Sequence, residues 1–154
     1  MRGMRYREAV AWLSLSSALV VGHLVGDVVW IGALLAANDL LSRAPWMAEP
    51  AEVGALARRV YQRLAQPALL LCLATGGVLF GLSPGSLLHA RWFFAKMAFA
   101  LALIVLHRLV GARAARIADG RTRGGAGSGL LAVLVLLCAT GAIALEVTKS
   151  LPRL

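Results

Sequence analysis

His23 lies in the middle of a long apolar run, with Gly26, Asp27 and Trp30 following at three, four and seven residues. On a helix of about 3.6 residues per turn these positions share or border one face. Ionisable groups at such depth in apolar surroundings are expensive, and they are usually kept for binding or proton handling. The structural alternative is a His23–Asp27 pair that only locks helix packing. Apolar side chains would pack there without the desolvation cost, which favours the functional reading. A second set comes later in the chain. Lys96 and His107 are eleven residues apart, about three turns, and so project from nearly the same side. His89 keeps that phase but falls in a turn, where solvent would satisfy it. Lys96 also suits snorkelling near a helix end, and His107 an interfacial place beside Arg108.

Neutral imidazole is the ligand of b-type haem inside helical bundles, and it also suits copper. Glycine beside the ligand, as at Gly22 and Gly26, lets a flat macrocycle or a second backbone come close. The candidate cofactor-binding residues are therefore His23, Gly26, Trp30 and His107, with His23 and His107 as the candidate metal ligands. Asp27, on the His23 face, is a candidate catalytic group, and Lys96 together with basic loop residues could neutralise the propionates of a tetrapyrrole. Depth separates the two histidines. His23 is near the centre of its run, whereas His107 is roughly 9 Å from the centre of its own. They would serve different partners, or different edges of one large ligand.

The elements that must position these residues are membrane spans. Of 154 residues, 60% are hydrophobic and 15% charged, and the mean hydropathy is +0.78. A soluble domain of this size could not hide so much apolar surface. Charges collect at the N-terminus, at 39–63, at 108–123 and at the C-terminus, leaving apolar runs between them. Spans are expected at about 9–37, 65–82, 92–110 and 129–147, giving an all-α, multi-pass bundle of four transmembrane helices in a single domain over 1–154. The first run exceeds a signal peptide in length, lacks an Ala-x-Ala exit and carries His23 and Asp27. Within 52–64, Val53, Leu56, Val60 and Leu64 recur at helical spacing with Arg58, Arg59 and Arg63 largely off the stripe, which predicts a short amphipathic interfacial helix before the second span. Ser83, Pro84 and Gly85 mark a turn. The segment 111–129, with Arg113, Arg116, Arg121 and Arg123 and then several glycines, reads as a basic flexible loop. Glu146 and Lys149 could pair at the end of the fourth span. Gly22/Gly26 and Gly77/Gly81 each place small residues on one helix face.

The net charge of +9 does not point to nucleic acid, because the arginines flank apolar runs in the way that anionic headgroups select. The expected surroundings are a lipid bilayer, with no nucleic-acid partner. The larger share of arginine lies on the side of 38–64 and 108–123, which by the positive-inside count puts both termini outside the cytoplasm, against the basic cluster Arg2, Arg5 and Arg7. Cys72 and Cys138 read as small buried hydrophobes without a Cys-x-x-Cys spacing.

These residues resemble a known family, the small four-helix membrane protoporphyrinogen IX oxidases of the HemJ type and the related CopD-like proteins. His23 and Trp30 match a His and Trp pair in the first span, followed by Ile31, Gly32 and Ala33. Arg59, Tyr61, Arg63, Pro67 and Ala68 match a basic amphipathic stretch ending in Pro-Ala. Trp92, Ala95, Lys96, Met97 and His107 match a Trp, Ala-Lys-Leu and His pattern. The resemblance covers about 23–117. It departs at Asn38 and Asp39, where the family has Pro-Arg, and at 123–128, which lacks an Asn-Glu-like stretch. The fold and the His23, Lys96 and His107 set therefore carry over better than the oxidase activity.

The resemblance implies removal of six electrons and six protons from protoporphyrinogen IX, with haem b passing electrons to a quinone or another respiratory-chain acceptor in the cell inner membrane. It implies His23 or His107 as haem ligand, Lys96 on a propionate or assisting proton removal, and Arg59 or Arg63 guiding the acidic porphyrinogen. Four short helices enclose a tetrapyrrole poorly, so a homo-oligomer is expected. The alternatives are copper transport or resistance, as in CopD-like proteins, and a non-catalytic haem or electron-carrier subunit. No Met-x-x-Met cluster accompanies the histidines, and neither cysteine is near one in sequence.

Overall fold

The computed structural model describes residues 2–82, 84–124 and 127–148, all of them helix, turn or irregular, with no strand. Helix α1 runs Arg2–Arg43 and continues as a short 3₁₀ turn, Ala44–Trp46. Helix α2, Pro50–Val60, passes through a π turn, Tyr61–Ala65, into α3, Gln66–Leu82. The short α4, Pro84–Leu88, leads to α5, Arg91–Ala118, and α6 is Ser128–Thr148. Four helical segments are long and apolar enough to cross a membrane: Ser14–Trp46, Pro50–Leu82, Arg91–Ala118 and Ser128–Leu145. The chain is an all-α, four-span, multi-pass membrane protein.

The amphipathic stretch before the second span is helical, as its spacing predicts, but it does not end where the span begins. Pro67 has no N–H for the carbonyl of Arg63 and its ring crowds that carbonyl. The widened turn just before it, where the Gln66 N–H bonds to Tyr61 O, relieves the conflict and keeps the helix unbroken. The buried face also lies beside the expected stripe. Leu56 and Leu64 are exposed, whereas Gly54, Ala57, Tyr61, Ala65, Ala68 and Cys72 are buried. In a bilayer large apolar side chains gain nothing by turning inward, and small ones permit close helix contact. A Cβ at Gly54 would stand 2.5 Å from the Ala118 backbone nitrogen, so α2 and α5 meet there almost backbone to backbone.

Helix α5 extends beyond the expected 92–110 and takes in the first part of the predicted basic loop. Val110, Arg113, Ala114 and Ile117 form a buried stripe at helical spacing, docked on α2. The helix stops at Gly120. Its φ of +68° allows the Gly120 N–H to reach Ile117 O at 3.0 Å and the Arg121 N–H to reach Arg116 O at 2.9 Å, a Schellman ending. Arg58 and Arg121 both approach the Asp119 carboxylate at this corner, at 3.6 and 3.8 Å.

Helix α1 packs along α3 and α2, and α5 packs along α2 and α6. The tightest packing is at the arginine-rich end, where Leu34, Ala37, Leu41, Ala57, Ala65, Val110, Ala114 and Ile117 are fully enclosed. A helix from Pro50 to Leu82 is about 50 Å long, well beyond a hydrocarbon core of about 30 Å. The uncharged part, 64–82, is about 28 Å and matches it. The bundle thus continues past the hydrocarbon at its arginine-rich end. Gly22 and Gly26 face α3, whereas a Cβ at Gly77 or Gly81 would meet nothing within 4 Å. Lys149, the expected partner of Glu146, lies outside the described residues.

Candidate functional site

The histidines, aspartate and tryptophan singled out in the first and third spans fall into two clusters. In the first, α1 presents His23 and Asp27 to α3. His23 Nδ1 is 3.1 Å from the backbone carbonyl of Cys72 and 3.1 Å from Thr75 Oγ1. Thr75 donates its own hydroxyl to Leu71 O at 2.7 Å, so toward His23 it can act as an acceptor. Two acceptors facing Nδ1 put the ring proton there and leave Nε2 with a lone pair, a tautomer inferred from these partners. Asp27 Oδ2 lies 3.8 Å from Nε2, too far for a hydrogen bond. The other carboxylate oxygen, Oδ1, receives the Cys72 thiol at 3.1 Å.

Close helix contact makes this possible. A Cβ at Gly26 would lie 2.8 Å from Cys72 Sγ, and one at Gly76 would lie 3.0 Å from the His23 ring. The side chains of His23 and Asp27 retain 23% and 35% exposure, so the cluster opens toward the surface of the helix pair. An imidazole whose Nδ1–H is tied to a backbone carbonyl, leaving the Nε2 lone pair uncommitted, is the arrangement that orients histidine as a metal ligand.

The second cluster encloses His107. The indole of Trp30 is a donor only, and its N–H bonds to His107 Nδ1 at 3.1 Å. The His107 ring stacks on Tyr61 with centroids 4.5 Å apart and planes 30° apart, and meets Trp30 edge-on at 6.0 Å. His107 is 2% exposed and Trp30 4%. A Cβ at Gly111 would run into the Tyr61 ring, so glycine there admits the stack. Because Nδ1 accepts, a neutral His107 carries its proton on Nε2, the opposite tautomer to His23. The expected role of His107 as a second haem or metal ligand meets this obstacle: its ring is enclosed, and it lacks an Nε2 lone pair while Trp30 bonds Nδ1.

The structure therefore brings His23 together with Asp27 and Gly26, and Trp30 together with His107, but holds the two histidines in separate environments. Lys96 is half-buried on α5 with an interaction of its own. Arg63 is exposed beside α1, on the rim of a groove that Gly26 also borders. His89 is exposed in the turn and its Nδ1 bonds Gly85 O at 2.7 Å.

Sequence reasoning missed Cys72, Thr75 and Tyr61. Cys72 lies on the small, buried stripe of α3 with Ala68, and its small size was the available signal. Cys72 is distant from histidine in sequence but adjacent to His23 and Asp27 in space. Among the described residues no three of His, Cys, Asp and Glu are grouped so as to hold a metal ion by themselves. A haem needs only one such nitrogen from the chain, and His23 offers one. No family model matches the chain, and neither a curated protein nor a solved structure does.

Proposed function

We propose that this protein is a redox protein of the cell inner membrane that binds a b-type haem through His23. Extending the family resemblance, we further propose that it oxidises protoporphyrinogen IX to protoporphyrin IX and passes electrons to a quinone or other respiratory-chain acceptor. The observation that carries the reading is the placement of His23 Nδ1 3.1 Å from both Cys72 O and Thr75 Oγ1, two acceptors that call for the ring proton at Nδ1 and leave the Nε2 lone pair for a ligand. The donor set supports one axial ligand from this chain. A bound haem would supply one-electron transfer through its iron.

The chain's own groups have distinct parts in this reading. Cys72 O and Thr75 fix the His23 ring plane, and glycine at 22, 26 and 76 lets α1 and α3 close on each other around it. The Asp27 carboxylate, steadied by the Cys72 thiol, is placed to accept a proton from a ligand bound beside His23. Trp30, His107 and Tyr61 tie α1 to α5 and to the π turn, and so position the site from below.

The test is the visible spectrum of protein purified after expression with ample haem precursor. The reading expects a Soret band with sharp α and β bands on reduction, and rescue of a strain lacking protoporphyrinogen oxidase. Haem without rescue would leave an electron carrier. A colourless protein that binds one Cu(I) per chain, with binding lost in Cys72→Ser, would replace the haem reading with the copper reading.

A further inference from the structure

An apolar groove of about 230 Å³ opens between α1 and the second span. Val25 and Val29 form one wall, Leu64, Pro67 and Leu71 the other, and Arg63 stands at the rim. The wall residues are substantially exposed, at 52% for Val25, 41% for Val29 and 50% for Leu64, so the groove faces outward from the bundle. Gly26 and Ala68, both buried, form its floor.

The groove is small and lined by apolar side chains. Its volume accommodates part of one hydrocarbon chain and falls below the ~300–1,000 Å³ of sites that enclose ring systems of drug size. Arg63 is the last charge before the uncharged stretch 64–82, which places it at headgroup level. Its guanidinium has no hydrogen-bond or ion-pair partner among the described residues. The π turn holds it at the mouth of the groove, with Pro67 one turn deeper.

We propose that this groove is a binding site for an anionic phospholipid. The lipid phosphate pairs with the planar guanidinium of Arg63, for which bidentate contact is favoured, and one acyl chain lies between α1 and α3 over Gly26. The site adjoins His23 and Asp27 through Gly26 but does not depend on haem being bound.

Native mass spectrometry of protein equilibrated with equal phosphatidylglycerol and phosphatidylcholine tests the proposal. Wild-type protein is expected to retain one phosphatidylglycerol with about fivefold preference, the scale that a single interfacial arginine supplies. Arg63→Gln brings the preference to parity. Val29→Trp, or Leu64→Trp should the former fold poorly, fills the groove and displaces the tight lipid while Arg63 remains. Arg59→Gln, which leaves the groove untouched, keeps the wild-type preference. An unchanged preference in Arg63→Gln would overturn the proposal, as would retention of the lipid in both tryptophan variants. So would co-purification of a prenyl quinone in place of phospholipid, or disulfide-linked dimers through a cysteine introduced at Val25.

Discussion

The Trp30–His107 hydrogen bond gives the sharpest test of the packing that supports the site. Trp30→Phe keeps an aromatic ring but removes the only hydrogen that an indole can donate. His107 Nδ1 then stays enclosed, its residue 2% exposed, with its donor gone. In proteins at large, stranding a buried acceptor costs about 1–3 kcal/mol. Hydrogen bonds between membrane helices average only about 0.6 kcal/mol and reach about 1.7. The bond here is shielded by the Tyr61 ring and by burial of both residues rather than by lipid, which favours the upper part of the membrane range.

A double-mutant cycle of Trp30→Phe and His107→Phe isolates this term, because the volume lost at Trp30 is common to both arms. The expected coupling is about 1–1.5 kcal/mol. Far-UV circular dichroism of unfolding in a mild detergent reads it without relying on tryptophan fluorescence. For a chain of this size each 1 kcal/mol corresponds to about 2–4 °C in Tm. Additivity of the two single variants within ~0.3 kcal/mol would refute the argument. Nitrogen-15 NMR offers an independent check, since His107 should show a protonated Nε2 and His23 a protonated Nδ1.

Two other substitutions probe the helix contacts. Gly54→Val drives a side chain into the α5 backbone at Ala118 and should cost about 1–3 kcal/mol or more, whereas Gly77→Ala meets open space and should stabilise the helix by up to about 1 kcal/mol; thermal melts compare them directly. At the α1/α3 cluster, Cys72→Ser preserves a donor for Asp27 and should unfold close to wild type, whereas Cys72→Ala removes the donor to the partly exposed Asp27 Oδ1 and should lose about 0.5–1 kcal/mol. Equal stability of the two cysteine variants would contradict the Cys72–Asp27 bond.

The spans were legible because a hydrocarbon solvent leaves long uncharged runs, and His23 and Asp27 stood out against one of them. Helix ends were harder to read. Arg108, Arg113 and Arg116 suggest that the third span ends near 110, but charge marks the edge of the hydrocarbon rather than the end of the helix. The Asp119-Gly120 pair carries the true stop, through the left-handed backbone that glycine adopts there. The apolar stripe read over 52–64 is not the face of closest contact for a related reason: Leu56 and Leu64 turn outward and Val53 and Val60 pack only partly on the core, while lipid competes for large side chains and the tight contact goes to Gly54, Ala57 and Ala65. The long-range pairings, His23 with Cys72 and His107 with Trp30 and Tyr61, depend on helix register. Sequence spacing within one helix does not encode it.

The difference between the two histidines bears most directly on function, and haem content reads it. Quantified by the pyridine haemochrome assay per folded chain, wild type is expected to hold haem and His23→Ala to lose it. His107→Gln, which keeps an acceptor for Trp30, should retain it. Haem retained in His23→Ala but lost in His107→Gln would contradict the assignment of His23 as the ligand.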